Sequence, residues 1–203
     1  MSPELSAAVV HDLKNSLSLL EGELELMARR ADAPAKIREL WMHAARMRLR
    51  MMEFLTLYQH DTQTLILSIE EHPLMDFLQH VSVAEISGSG PMPTLIADEQ
   101  VKVGYFDARL VSLALQSALA NARSFARAEI ILGIRQAEQS LVFFVADDGP
   151  GPGHGATPDG TGLGMKVCEM VAGAHSSGAA VGFCSLKQRG PAGGAVFELH
   201  LPM

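Results

Sequence analysis

The chain has 203 residues, 48% of them hydrophobic, so it can bury one core or two small ones. A formal net charge of −7 argues against non-specific nucleic-acid binding, which needs a basic surface. No stretch approaches the roughly eighteen consecutive apolar residues of a membrane span, and the N-terminus lacks the basic-then-apolar layout of a signal peptide, so no membrane contact and a cytoplasmic location are expected.

Residues 9–30 read as a helix. Val10, Leu13, Leu17, Leu20, Leu24 and Met27 recur at alternating steps of three and four, the seam of a bundle or coiled coil. Asp32-Ala33-Pro34 breaks the pattern, and Pro34 suits the first turn of a second helix over 35–60, with seam residues Ile37, Leu40, Ala44, Met47, Met51, Phe54 and Tyr58. Such a hairpin is too small to bury its seams alone, so pairing with a second copy into a four-helix bundle is expected. Arg46, Arg48 and Arg50 read as a solvated face; Arg46 and Arg50 share a side on which an acidic partner would fit.

The pattern changes at Asp61-Thr62-Gln63-Thr64, a hinge. A strand is expected over 65–69, a short helix over 73–81, a loop over 87–91, and strands over 94–97 and 101–105. Asp107 should cap a helix reaching about residue 127, with Val111, Leu115, Ala118, Ala122 and Phe125 as its buried stripe. Strands are expected over 130–134 and 141–146, a glycine- and proline-rich loop over 149–164, a helix over 163–174, and closing strands over 179–186 and 195–201, joined by a turn over 190–194. An all-α hairpin followed by mixed strands and helices makes an α+β chain, divided here into 1–62 and 63–203. Cys168 and Cys184 fit free buried thiols of a reducing compartment, although their spacing also allows a disulfide.

Three later stretches carry chemistry. Gly160-Thr161-Gly162-Leu163-Gly164 precedes a helix, where close backbone approach and the helix start suit a phosphate; the same composition also makes an ordinary connection. Asp147 ends an apolar strand and enters Gly149-Pro150-Gly151, where a carboxylate can accept an exocyclic amine or close an Asp-Gly turn. Asn121 stands mid-helix, where its oxygen suits a magnesium ion or merely faces solvent. At the other end of the chain, His11-Asp12-Leu13-Lys14-Asn15 opens the first helix.

Together these stretches resemble the core of sensor histidine kinases, whose ATP-binding domain is of the type shared with gyrase, Hsp90 and MutL. Residues 115–125 resemble its N box, Val145-Ala146-Asp147-Asp148-Gly149-Pro150-Gly151 its G1 box, Gly160-Thr161-Gly162-Leu163-Gly164 its G2 box, 194–202 its closing strand, and His11 to Asn15 the H box of its dimerisation hairpin. The resemblance implies a helical hairpin followed by an α/β sandwich that binds ATP. It assigns the adenine to Asp147, Mg²⁺ to Asn121, and the nucleotide more widely to Gly149, Gly151, Gly160, Thr161, Gly162 and Gly164. His11 would accept the phosphoryl group, Asp12 its proton, and Asn15 would orient water for dephosphorylation. The implied partners are a second copy of the chain and the receiver domain of a response regulator. His175 reads as structural, His154 as a solvated loop residue, and Arg123 and Arg127 either as charge near the phosphates or as solvated arginines.

The chain departs from the family pattern in several places. Ten residues precede His11, so a signal is expected through a partner or separate sensor in trans. The loop from Pro152 to Asp159 is short and lacks an aromatic. Ser117 and Ser124 replace residues that are commonly asparagine and lysine, and Ser16 stands where the H box usually has proline. These departures keep a second reading open: a histidine phosphotransferase or regulator phosphatase with a weak or vestigial ATP site. A third reading is a scaffold that binds a regulator without phosphate chemistry.

Overall fold

The computed structural model describes residues 3–30, 32–84, 91–98, 100–152, 162–189 and 193–203, with the side chains of 3–12, 14 and 84 outside the description. The expected loop over 87–91, the tip of the 190–194 turn, His154, Gly160 and Thr161 therefore lie wholly or mostly outside the described residues.

Two long helices, α1 (Pro3–Ala28) and α2 (Ala35–Asp61), pack as the expected hairpin. Ala28, Ala33, Trp41 and Ala44 are buried, and Arg48 pairs with Glu21. Arg48 is thus a cross-helix tie rather than part of a solvated face; its aliphatic stem can lie along the neighbouring helix while its guanidinium meets the carboxylate. Leu13, Leu20, Met27, Leu40, Met47 and Phe54 of the expected seams are exposed in the single chain.

The rest of the chain follows as β1 (Glu70–Pro73), α3 (Leu74–Ala84), β2 (Thr94–Ala97), β3 (Val103–Phe106), α4 (Ala108–Phe125), β4 (Ile130–Ala137), β5 (Ser140–Asp147), α5 (Leu163–Ala174), β6 (Ser176–Ser177), β7 (Ala180–Val181), β8 (Phe183–Gln188) and β9 (Ala195–Pro202). The main sheet has the order β2-β4-β5-β9-β8, antiparallel except for the parallel β2–β4 pair. Helices α3, α4 and α5 supply its apolar partner layer, giving the α+β architecture. Phe77, Phe106 and Phe143 meet edge to face in the core, with centroids 4.8–5.7 Å apart.

The strand expected over 65–69 lies instead at 70–73. Leu65, Leu67 and Ile69 alternate as a strand would, but Ile66, Leu67 and Ile69 are exposed and, among the described residues, no strand pairs there. Pairing begins where Glu70 meets Phe106 in the short β1–β3 ribbon, and His72 packs on the Phe106 ring at 5.0 Å.

Asp107 caps α4 as expected and does more. One carboxylate oxygen accepts the Arg109 and Leu110 amides at 3.0 and 3.2 Å, and the other accepts Ser68 N–H at 2.9 Å. Burial pushes this carboxyl up, but those hydrogen bonds and the Arg109 guanidinium leave it below its ordinary value. The Asp107 amide in turn donates to His175 Nε2 at 3.0 Å. His175 Nδ1 lies 2.7 Å from the Val171 carbonyl, so Nδ1 carries the proton and Nε2 the lone pair. The expected structural role of His175 is therefore met: it pins the end of α5 to the start of α4. Cys168 and Cys184 are both free, and burial pushes the Cys168 thiol up.

On the outer face of the sheet, Glu198 receives Arg135 at 2.6 Å and Lys187 at 3.1 Å. Burial raises its carboxyl, but hydrogen bonds from Arg135, Lys187 and His200 outweigh that and bring it to about 2. A depressed carboxyl stabilises the fold above its unfolded value, about 4.3, and loses that contribution as pH falls toward the folded value. Glu198→Gln should cost about 1–2 kcal/mol at pH 7, since Arg135 and Lys187 are exposed and screened. Thermal unfolding of both proteins at pH 7 and pH 3 checks this: the gap must narrow in acid, and a constant gap rejects the assignment.

Candidate functional site

The three later motifs meet along one stripe of α4. Ser117, Asn121 and Phe125 are spaced four apart and share a helix face. At one end of the stripe, a Cβ added to Gly164 would overlap Ser117 Oγ. At the other, a Cβ on Gly149 would lie 2.6 Å from the Phe125 carbonyl. Both glycines therefore permit approaches that no side chain allows. Asn121, exposed, lies between them, so the stripe joins the turn after β5 to the start of α5.

The turn after β5 is held by its own acids. Asp147 is buried, and its Oδ1 accepts Gly149 N–H at 2.8 Å and Ala195 N–H at 3.3 Å. Asp148 Oδ1 accepts Arg127 N–H at 2.8 Å, and its Oδ2 accepts Ala128 N–H at 3.0 Å, fastening the end of α4 to the turn. These backbone hydrogen bonds outweigh desolvation and hold the Asp148 carboxyl below its usual range. Gly194 N–H donates to the Gly149 carbonyl at 2.6 Å, so β9 closes the turn from the other side. Asp148 and the amides of Gly194 and Ala195 are site-building groups that motif reading passes over. The signal for Asp148 was an Asp directly before Gly; the amides carry no side-chain signal at all.

At the far end of the stripe, Gly162 caps α5 in the left-handed region, φ 68°, without a side-chain hydrogen bond. The first-turn amides of a helix have no acceptor within the helix and lie at its positive end, which suits an anion. Ser124 donates to the Ala120 carbonyl at 2.9 Å, while the Arg123 side chain is half-buried. Among the described residues no group of three or more His, Cys, Asp or Glu converges to hold a metal. A cation here would rely on the Asn121 oxygen and on oxygens of the ligand, which suits magnesium, a cation that keeps several non-protein ligands.

His11 and Asp12 fall within the backbone of α1, and their side chains lie outside the description; Asn15, one turn on, is exposed. The structure thus assembles the surroundings of Asn121, Asp147, Gly149, Gly151, Gly162 and Gly164, and leaves the hairpin residues on a separate element.

One further residue reaches the site from the hairpin. Glu53 of α2 is buried, 5% exposed, and hydrogen-bonds Ser117. Its Oε1 would lie 3.3 Å from a Cβ on Gly164. Burial pushes its carboxyl up, against the Ser117 hydrogen bond and the Arg50 charge, which lower it.

Solved structures share the fold of the chain. A histidine kinase of Acinetobacter baumannii, AdeS, matches with a TM-score of 0.63 at 19% identity, over 95% of this chain and 98% of that one. The chain has the fold of a histidine kinase core. Full-length ShkA, solved with AMPPNP, matches that core over 100% of this chain and 46% of its own, with a TM-score of 0.66 at 19% identity. The cytoplasmic segment of the histidine kinase QseC matches over 77% of this chain and 93% of its own, with a TM-score of 0.53 at 16% identity. No family model and no curated protein sequence matches the chain. Among the described residues of this histidine kinase core fold, no helix is long and apolar enough to cross a membrane.

Proposed function

We propose that the chain is a histidine kinase that transfers the γ-phosphoryl group of ATP to His11 and then to an aspartate of a response regulator. The observation that supports this most is the α4 stripe, where Ser117 against Gly164 and Phe125 against Gly149 bracket Asn121. That bracket joins three parts suited to a nucleotide: a carboxylate at a strand end, a side-chain oxygen, and a helix start whose cap, Gly162, makes no side-chain hydrogen bond.

In this reading the second carboxylate oxygen of Asp147 accepts the adenine amine, and Gly160, Thr161, Gly162 and Gly164, at the start of α5 in the sequence, receive the phosphates. Gly149 and Gly151 leave room for the base. Mg²⁺, held by Asn121 and phosphate oxygens, would neutralise charge on the transferring group. The His11 imidazole attacks phosphorus through its unprotonated nitrogen. A nitrogen–phosphorus bond forms, the bond from phosphorus to the bridging oxygen breaks, ADP leaves, and Asp12 takes the imidazole proton. Asn15, four residues from His11, shares its face and would orient water against the phosphorylated regulator.

Incubation with γ-labelled ATP tests the reading: label on the protein should be labile in acid and stable in base. Label taken only from a phosphorylated regulator would move the assignment to a histidine phosphotransferase with a vestigial nucleotide site.

The reading includes a homodimer, a domain boundary near residue 62, an input from a separate sensor in trans and a cytoplasmic location. The dimer is supported by the exposed Leu13, Leu20, Met27, Leu40 and Met47, an apolar run that a single chain leaves in water. Sedimentation at micromolar concentration should give twice the mass of one chain, and a monomer would overturn this part.

A further inference from the structure

Helix α2 carries two stripes. One is the exposed seam with Met47 and Phe54; the other is Leu49, Met52, Glu53, Thr56 and Leu57, spaced at three and four. The second stripe lies against α4 and α5. Leu49 belongs to the core of the α/β unit, Met52 and Leu57 pack on that core, and Thr56 turns its hydroxyl back to the Met52 carbonyl at 2.8 Å. Glu53 is the one ionisable group of this docked stripe. It meets Ser117 of α4 and the first turn of α5 at Gly164.

A carboxylate is an uneconomical choice for such a contact, because a carboxylate taken out of water is costly and one hydroxyl satisfies little of it. Its location gives it a consequence. The start of α5 is the positive end of a helix, and the Glu53 oxygen lies beside its first turn. A polyphosphate bound at that start would meet a negative charge already there, and two anions in a half-buried setting repel. Ser117 is one turn from Asn121, so the contact is built on the same helix face as the nucleotide site.

We propose that Glu53 is a positioning residue by which the hairpin opposes nucleotide binding: with α2 docked, its carboxylate sits on Ser117 and the first turn of α5, and nucleotide and docked hairpin weaken each other. This rests on the nucleotide site proposed above. Linkage requires the effect to be reciprocal.

The test is calorimetric titration of the full chain with AMPPNP and Mg²⁺. Glu53→Gln keeps the shape and an oxygen that accepts the Ser117 hydroxyl, so the docked contact survives without its charge. It should bind the nucleotide about fivefold tighter or more. Ser117→Ala, which leaves the carboxylate without its hydroxyl, should loosen docking and also tighten binding. In the wild type, nucleotide should speed amide hydrogen exchange over residues 49–57; in Glu53→Gln it should not. Equal or weaker binding by Glu53→Gln, with the wild type binding, overturns the proposal and leaves the site standing. Absence of binding by all three proteins overturns the site and the proposal together.

Discussion

His11→Ala should abolish labelling from γ-labelled ATP while leaving nucleotide affinity unchanged. The two halves follow from the fold. His11 lies in α1, whereas the bracket around Asn121 is built from α4, the turn after β5 and α5. Truncating His11 removes the acceptor and leaves every residue of that bracket in place. Loss of label should be complete within detection, at least about a thousandfold, because the phosphoryl group has no other covalent destination in this scheme. A chain that still labels after His11→Ala would assign the acceptor elsewhere, with His43, His60 and His80 as exposed histidines to examine next. A chain that loses both label and nucleotide would mean that the hairpin helps to form the pocket.

The long helices and the order of the motifs were legible because they rest on local regularities. The three-and-four spacing of α1 and α2, the Asp107 cap and the glycines around Asn121 are written within a few turns of sequence. The two stripes of α2 were not separable in the same way. Met51, Met52, Phe54, Leu55 and Leu57 are apolar on adjacent faces, so periodicity puts Phe54 on the seam meant for a second copy but does not mark a second stripe that includes Glu53. In the structure Phe54 is 53% exposed and its polar neighbour Glu53 is buried. Only the docking of α2 on α4 and α5 decides between the faces, and that docking is a tertiary fact. Glu70-Glu71-His72-Pro73 shows the same limit for strands. Nothing in its composition favours a strand, yet it pairs with β3, while the alternating Leu65, Leu67 and Ile69 pair with no strand among the described residues. In the site, Asp148 and the amides of Gly194 and Ala195 do their work through backbone hydrogen bonds, which side-chain identity records poorly.

Asp147→Asn is the sharper test of the pocket, because it should leave the turn intact. Asp147 Oδ1 holds Gly149 and Ala195, and an asparagine oxygen can accept from both amides. Stability should therefore change by less than about 1 kcal/mol, read from thermal unfolding. The second carboxylate oxygen becomes an amide NH₂. An acceptor is then replaced by a donor at the point where the adenine amine donates, and two donors face each other in a buried corner. Such a mismatch, with charge-assisted hydrogen bonding lost, is worth about 2–3 kcal/mol, roughly a hundredfold in affinity. Calorimetry with ATP and Mg²⁺ should show this loss, and guanine nucleotides should show no comparable loss, since guanine carries a carbonyl where adenine carries the amine. Binding of ATP within threefold of the wild type would remove Asp147 from base recognition. It would leave Asp147 as a turn-forming residue beside Asp148, with the glycines of the turn and the start of α5 as the remaining support for a nucleotide.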